Sequence, residues 1–140
     1  GFAANTDQGL MVPVIKDADQ KSLKEISLEL IRLSEDARSG KIQINDLQGG
    51  TFTISSLGGF GGVGFTPIIN PPEVAILGVA RAQIRPIMIK GKFLPRLILP
   101  LSLSYDHRVI DGVGGIQFTS ALKELLENPE SYLSEEISIG

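Results

Sequence analysis

The chain has 140 residues, 42% of them hydrophobic, a net charge of -3, no cysteine, no tryptophan and a single histidine. This length fits one domain, and the apolar share is ordinary for a packed core, so disorder is not expected. Without cysteine there are no disulfides, thiolate nucleophiles or Cys-based zinc sites, and one histidine cannot make a His-rich centre, so no metal is expected. Lys and Arg are scattered and only two Tyr are present, which leaves no basic stripe or aromatic platform for nucleic acid. The apolar run around residues 97–103 is interrupted by Pro100 beside Arg96, far short of a membrane span. The opening Gly1-Phe2-Ala3-Ala4-Asn5-Thr6-Asp7-Gln8-Gly9 shows neither a basic segment nor a secretory apolar stretch.

Residues 10–15 read as a short strand, with Pro13 marking an edge or bulge because proline has no N–H for a ladder. Ser22 and Glu25 make a capping box, after which Ile26, Leu30, Leu33 and Ala37 recur at helical spacing until Gly40 offers a C-cap. Residues 45–47 suit a single helical turn. Following Gly49-Gly50, the β-branched alternation of Thr51-Phe52-Thr53-Ile54-Ser55-Ser56 predicts a strand ending on a glycine-rich loop. Beyond Pro71-Pro72, residues 74–84 and 93–105 read as two strands of a long hairpin that turns at Lys90-Gly91-Lys92. A final helix over about 112–127 is expected to bury Ile116, Leu122 and Leu125 and to stop at Asn128-Pro129.

Gly59-Phe60-Gly61-Gly62-Val63-Gly64 matches the dinucleotide fingerprint letter by letter and follows a strand. A Rossmann turn must open a helix, however, and Phe65-Thr66-Pro67 and then Asn70-Pro71-Pro72 forbid one, so nucleotide binding is not expected there. Ser55 and Ser56 end a strand beside this loop, where a hydroxyl could donate to a developing negative charge, although taken alone a plain strand serine is the better reading. No Gly-x-Ser-x-Gly elbow surrounds Ser55, which counts against a serine hydrolase. Asp111, just before the last helix, can be an N-cap, a site residue or both.

The only histidine lies in Asp106-His107-Arg108-Val109-Ile110-Asp111-Gly112, where an apolar strand gives way to that helix. Histidine alone has an unperturbed pKa near operating pH, so His107 is the candidate acid/base group, although on these residues alone a histidine satisfied by a local turn is the plainer reading. On an extended segment Asp106 and His107 would point to opposite faces, which makes Asp106 a poor orienter of the imidazole.

These seven residues resemble the D-H-R-x-x-D-G signature of the dihydrolipoamide acyltransferases, the core components of 2-oxo acid dehydrogenase complexes. The resemblance extends in order through Gly9-Leu10-Met11-Val12-Pro13-Val14-Ile15, Gly49-Gly50-Thr51-Phe52-Thr53-Ile54-Ser55 and Phe65-Thr66-Pro67-Ile68-Ile69-Asn70-Pro71-Pro72-Glu73-Val74-Ala75-Ile76-Leu77-Gly78. It implies an α/β fold, an α+β two-layer sandwich like that of chloramphenicol acetyltransferase, with a mixed sheet, helices on it and trimers whose active sites lie between subunits. By matching motif, His107 takes the role of general base and Ser55 that of the hydroxyl supporting the tetrahedral intermediate from the neighbouring subunit. Asp111 fills the motif's acidic position, which some relatives fill with Asn. The residues that would hold coenzyme A are not identified.

The implied reaction moves an acyl group between the thiols of dihydrolipoamide and coenzyme A, with the lipoyl group carried on a separate domain. An imidazole of ordinary basicity and a thiol differ by about two pKa units, roughly 2.7 kcal/mol, a gap that suits proton removal during attack on the thioester. Ser55-Ser56-Leu57-Gly58 and Pro95-Arg96-Leu97-Ile98-Leu99-Pro100-Leu101-Ser102-Leu103-Ser104-Tyr105 look most like the acetyl-transferring members of the pyruvate dehydrogenase type, although branched-chain enzymes share much of this. The partners implied are a homotrimer built into a larger core, the decarboxylase and dihydrolipoamide dehydrogenase components, in the cytoplasm of a bacterium or the mitochondrial matrix of a eukaryote. A core homologue that binds its neighbours without turnover is the alternative, against which the intact His107 and Ser55 count. The family's catalytic domain begins upstream of the segment resembled by Gly1-Phe2-Ala3-Ala4. Residues 1–140 are therefore expected to be its C-terminal portion, incomplete at the N-terminus and inactive alone.

Overall fold

The computed structural model describes residues 1–59 and 61–133. Seven strands, β1 (Ala4–Thr6), β2 (Gly9–Met11), β3 (Thr53–Ser56), β4 (Ala75–Val79), β5 (Gln83–Ile89), β6 (Lys92–Ile98) and β7 (Leu101–Tyr105), are accompanied by helices α1 (Leu23–Arg38), α2 (Gly112–Glu127) and α3 (Glu130–Leu133). A mixed three-stranded sheet in the order β3-β4-β7 is the centre, with β3 parallel and β7 antiparallel to β4. Ala75, Ile76 and Leu77 of the middle strand are buried, as expected for a strand paired on both edges and covered on both faces.

Register determines what lies on each face. Thr53 pairs with Ile76, Ser55 with Gly78, and Gly78 with Ser102, so alternation puts these side chains on one face and Ile54, Leu77 and Tyr105 on the other. The second face is the helical one. There the Phe52 and Phe118 rings of β3's approach and α2 lie 5.5 Å apart, and Ile26 and Leu30 of α1 line a cleft with Phe52 and Ile54. On the first face, a Cβ on Gly78 would come within 3.0 Å of Phe65 and 3.1 Å of Pro67, so glycine lets the segment after the glycine-rich loop lie directly on the sheet. The result is a two-layer α+β architecture with a mixed sheet, as expected.

The long hairpin exists but is interrupted. Val79 faces Leu101 while Gln83 faces Ile98, so three residues oppose two and the register slips by one, the signature of a bulge. Pro100 sits at the slip, where its carbonyl accepts from Ala80 N–H at 3.1 Å. Each predicted strand is thus two, and β5 and β6 project as a separate ribbon closed by Lys90 and Gly91 at φ 49° and 77°.

Both helices begin as predicted. Ser22 accepts from Glu25 N–H and Glu25 answers to Ser22 N–H, and Gly40 at φ 71° follows the C-cap Ser39. The short turn is a 3-10 helix, Ile44–Leu47.

Three expectations need correction. The strand foreseen over 10–15 is β2, which ends at Met11 and pairs with an unforeseen β1. Pro13 instead lies buried beyond it, its carbonyl accepting from Phe2 N–H at 2.9 Å. Ile116, expected inside, is 68% exposed and Leu125 is exposed too; in α2 only Gly115 is buried among the described residues, because this helix rests on Tyr105 through its glycine face. Around the glycine-rich loop, Phe60 lies outside the described residues, and among the described residues no helix lies between the loop and β4. Among the described residues no helix is long and apolar enough to cross a membrane.

Candidate active site

His107 sits on a turn, not on the extended segment expected, because β7 stops at Tyr105 and the chain then folds around Asp106. Asp106 N–H donates to Val74 O at 2.8 Å, the last rung of the β4–β7 ladder. Its carbonyl accepts from Val109 N–H and Ile110 N–H at 3.0 and 2.9 Å. Its carboxylate accepts from Arg108 N–H at 3.0 Å and from the Arg108 guanidinium through Nε at 2.9 Å and Nη2 at 2.6 Å. The side-chain bonds to Arg108, then its backbone N–H, hold the Asp106 carboxyl at about 2, below the usual 3.8. Asp106 makes no direct hydrogen bond to the imidazole, and the reason differs from the one expected: its oxygens are occupied by Arg108.

The imidazole is exposed and, among the described residues, makes no hydrogen bond. Among the described residues its ring neighbour is Tyr105, with centroids 5.7 Å apart and planes tilted by 42°. Tyr105 is in turn fixed from below. A Cβ on Gly115 would approach Tyr105 Cε1 to 2.8 Å, so α2 packs on this ring only because residue 115 has no side chain. Tyr105 and Gly115 had not been singled out from sequence; they act through a contact between elements, which local pattern does not reveal.

Asp111 is the N-cap of α2. Its Oδ1 accepts from Gly114 N–H at 2.8 Å, which satisfies an otherwise orphaned donor and fixes where the helix starts after the His107 turn.

Ser55 lies in β3 on the face opposite the helices. Half-buried and without a hydrogen-bond partner among the described residues, it lines a groove of ≈ 390 Å³ with Val12, Thr53, Phe65, Pro67 and Ile76. A hydroxyl in such an apolar groove has its donor available for a bound group. The strand register separates it from His107. Ser55 is opposite Gly78, whereas the His107 turn hangs from Val74 at the other end of β4 and one strand further on. At ~3.3 Å per residue and ~4.8 Å per strand, the two Cα atoms are about 15 to 20 Å apart. Within one chain, then, the two candidate groups do not meet. Among the described residues no three His, Cys, Asp or Glu side chains gather as a metal-binding set.

A mixed sheet backed by helices, with D-H-R-x-x-D-G at the sheet-to-helix turn, defines an acyltransferase domain. Residues 1–134 match the family described as 2-oxoacid dehydrogenases acyltransferase (catalytic domain), and the chain belongs to that family. Among its relatives is the dihydrolipoyllysine-residue acetyltransferase component of the pyruvate dehydrogenase complex of Pseudomonas aeruginosa, 53% identical over 133 residues that make up 95% of this chain and 24% of that protein. The fold is similar to the dihydrolipoamide acetyltransferase of Azotobacter vinelandii, with a TM-score of 0.91 and 53% identity, covering 95% of this chain and 55% of that one. A structure of the cubic core of the pyruvate dehydrogenase multienzyme complex gives the same TM-score, identity and coverage. The chain thus spans about a quarter of the curated relative and about half of the solved catalytic chains.

Proposed function

We propose that this chain is the C-terminal portion of an acyltransferase catalytic domain that moves an acetyl group between dihydrolipoamide and coenzyme A. His107 is the general base: its imidazole, which makes no hydrogen bond among the described residues, takes the thiol proton as the sulfur attacks the thioester carbonyl. Ser55 donates its hydroxyl hydrogen bond to the oxyanion that forms, a donor position worth about 2.7 to 4 kcal/mol in transition-state stabilisation. When the tetrahedral intermediate collapses, the departing thiolate recovers the proton from His107. Asp111 acts by setting the start of α2 behind the His107 turn. Both reacting sulfurs belong to the substrates, which is why the chain needs no cysteine.

The observation that carries this reading is spacing. In the Azotobacter acetyltransferase, the residues whose role in the catalytic mechanism was investigated are a serine, a histidine and an asparagine, separated by the same intervals as Ser55, His107 and Asp111. The asparagine there argues that residue 111 serves as a hydrogen-bond acceptor, as its capping bond to Gly114 N–H does here, more than as a negative charge. The distance between Ser55 and His107 supports a site completed by a neighbouring copy. We accordingly assign a homotrimer assembled into a larger core. Its partners are a lipoyl group delivered on a separate domain and the decarboxylase and dihydrolipoamide dehydrogenase components. The similar curated proteins are bacterial, which favours the cytoplasm.

The test is acyl transfer from acetyl-CoA and its propionyl, isobutyryl and succinyl analogues to dihydrolipoamide, using the full-length protein and its His107→Ala variant. Acetyl-CoA should be the best donor and the variant should lose turnover. Unchanged turnover in the variant would contradict the base assignment.

A further inference from the structure

We propose that Asp106 and Arg108 form a positioning pair for the imidazole, holding the turn that presents His107 to a neighbouring copy; this rests on His107 being the base. Every hydrogen bond that shapes the turn passes through Asp106. Its N–H ties the turn to Val74 O, its carbonyl gathers Val109 and Ile110 N–H, and its carboxylate closes on Arg108. The imidazole has no hydrogen bond of its own among the described residues, so its direction is inherited from this backbone and from the Tyr105 ring.

The pair has little other work to do. The Arg108 side chain is 88% exposed, and an ion pair in water contributes little to global stability. What it can fix is local shape. The planar fork reaches both carboxylate oxygens while Arg108 N–H binds one of them, so side chain and backbone of the residue after His107 are locked to the residue before it. Lysine, whose ammonium is a compact charge on a flexible stem and has no planar fork, cannot reproduce that clamp.

The experiment measures kcat and KM for both thiol substrates in the full-length protein carrying Asp106→Ala, Arg108→Ala, the double substitution, Arg108→Lys, Asp106→Asn and, in parallel, His107→Ala. Each alanine variant should lower kcat about 10- to 100-fold, as small misplacements of a reacting group do, with KM within about twofold and an unaltered unfolding midpoint. The double variant should be no worse than the poorer single one, because the two residues act as one device. Arg108→Lys should recover little, whereas Asp106→Asn, which keeps an acceptor for Arg108 N–H, should recover part of the rate. Unchanged kcat, additive losses, or loss of activity that follows loss of stability would overturn the pair. A raised KM for coenzyme A at constant kcat would also overturn it, by making Arg108 a substrate contact. If His107→Ala keeps its turnover, the base assignment fails first; if it is inactive while the pair variants turn over normally, the pair alone fails.

Discussion

The two ends of the β3-β4-β7 sheet carry the two halves of the proposed site, and they are built differently. At the His107 end, residues close in sequence specify the geometry: Asp106 organises the turn, Arg108 clamps it and Asp111 caps the helix that follows. At the Ser55 end, nothing local is special. Ser55 is an ordinary strand residue whose surroundings come from its register opposite Gly78 and from the Phe65 and Pro67 segment lying over it. The histidine half is a local device and the serine half a product of tertiary packing. Each is formed in one chain, yet the register holds them apart, which is why the proposed site draws them from two chains.

The largest effects should come from removing the reacting groups themselves. His107→Ala is expected to lower kcat by about 10²- to 10⁴-fold. Turnover close to wild type would mean that another group takes the thiol proton. Ser55→Ala should cost about 10²- to 10³-fold in kcat with little change in KM, and a serine-reactive phosphonate should leave Ser55 unlabelled. An adduct there would favour a hydrolase.

Smaller losses should distinguish packing from chemistry. Gly115→Ala drives a methyl group into Tyr105, so kcat should fall about tenfold through the displaced His107 turn while the Ser55 groove is untouched. Normal kinetics in that variant would detach Tyr105 from the site. The smallest effect concerns acid. Asp106 titrates at about 2 when folded, below its ordinary 3.8, so its contribution is complete above 3.8 and is lost as pH falls through 2. Rate loss on going from about pH 8 to 5 therefore should not come from Asp106, and Asp106→Asn should leave the pH dependence over that range unchanged.

The same contrast explains what was readable from sequence. Helix starts were legible because capping is local: Ser22 with Glu25, and Asp111 with Gly114, sit three residues apart. The long hairpin was legible in outline, but the bulge was not inferred, although Pro100 was its signal. The turn at Asp106 reads as extended chain in the sequence because an aspartate accepting from the N–H two residues on leaves no mark in hydrophobic periodicity. Ile116 was placed inside because periodicity identifies an apolar face without saying what covers it. Ser55 acquired meaning only through resemblance, and Gly78, Tyr105 and Gly115 acquired theirs only through contacts between distant elements.

The central claim, that His107 and Ser55 of different copies make one site, is tested most directly by mixing. Full-length His107→Ala and Ser55→Ala proteins, each inactive, are dissociated together at equal concentrations, reassembled, and assayed for acetyl transfer. Sites shared between copies should restore about a quarter of wild-type turnover, since one pairing in four joins an intact His107 to an intact Ser55. If the reassembled mixture has wild-type assembly size and no activity above that of the separate variants, both groups belong to one copy and the claim is wrong.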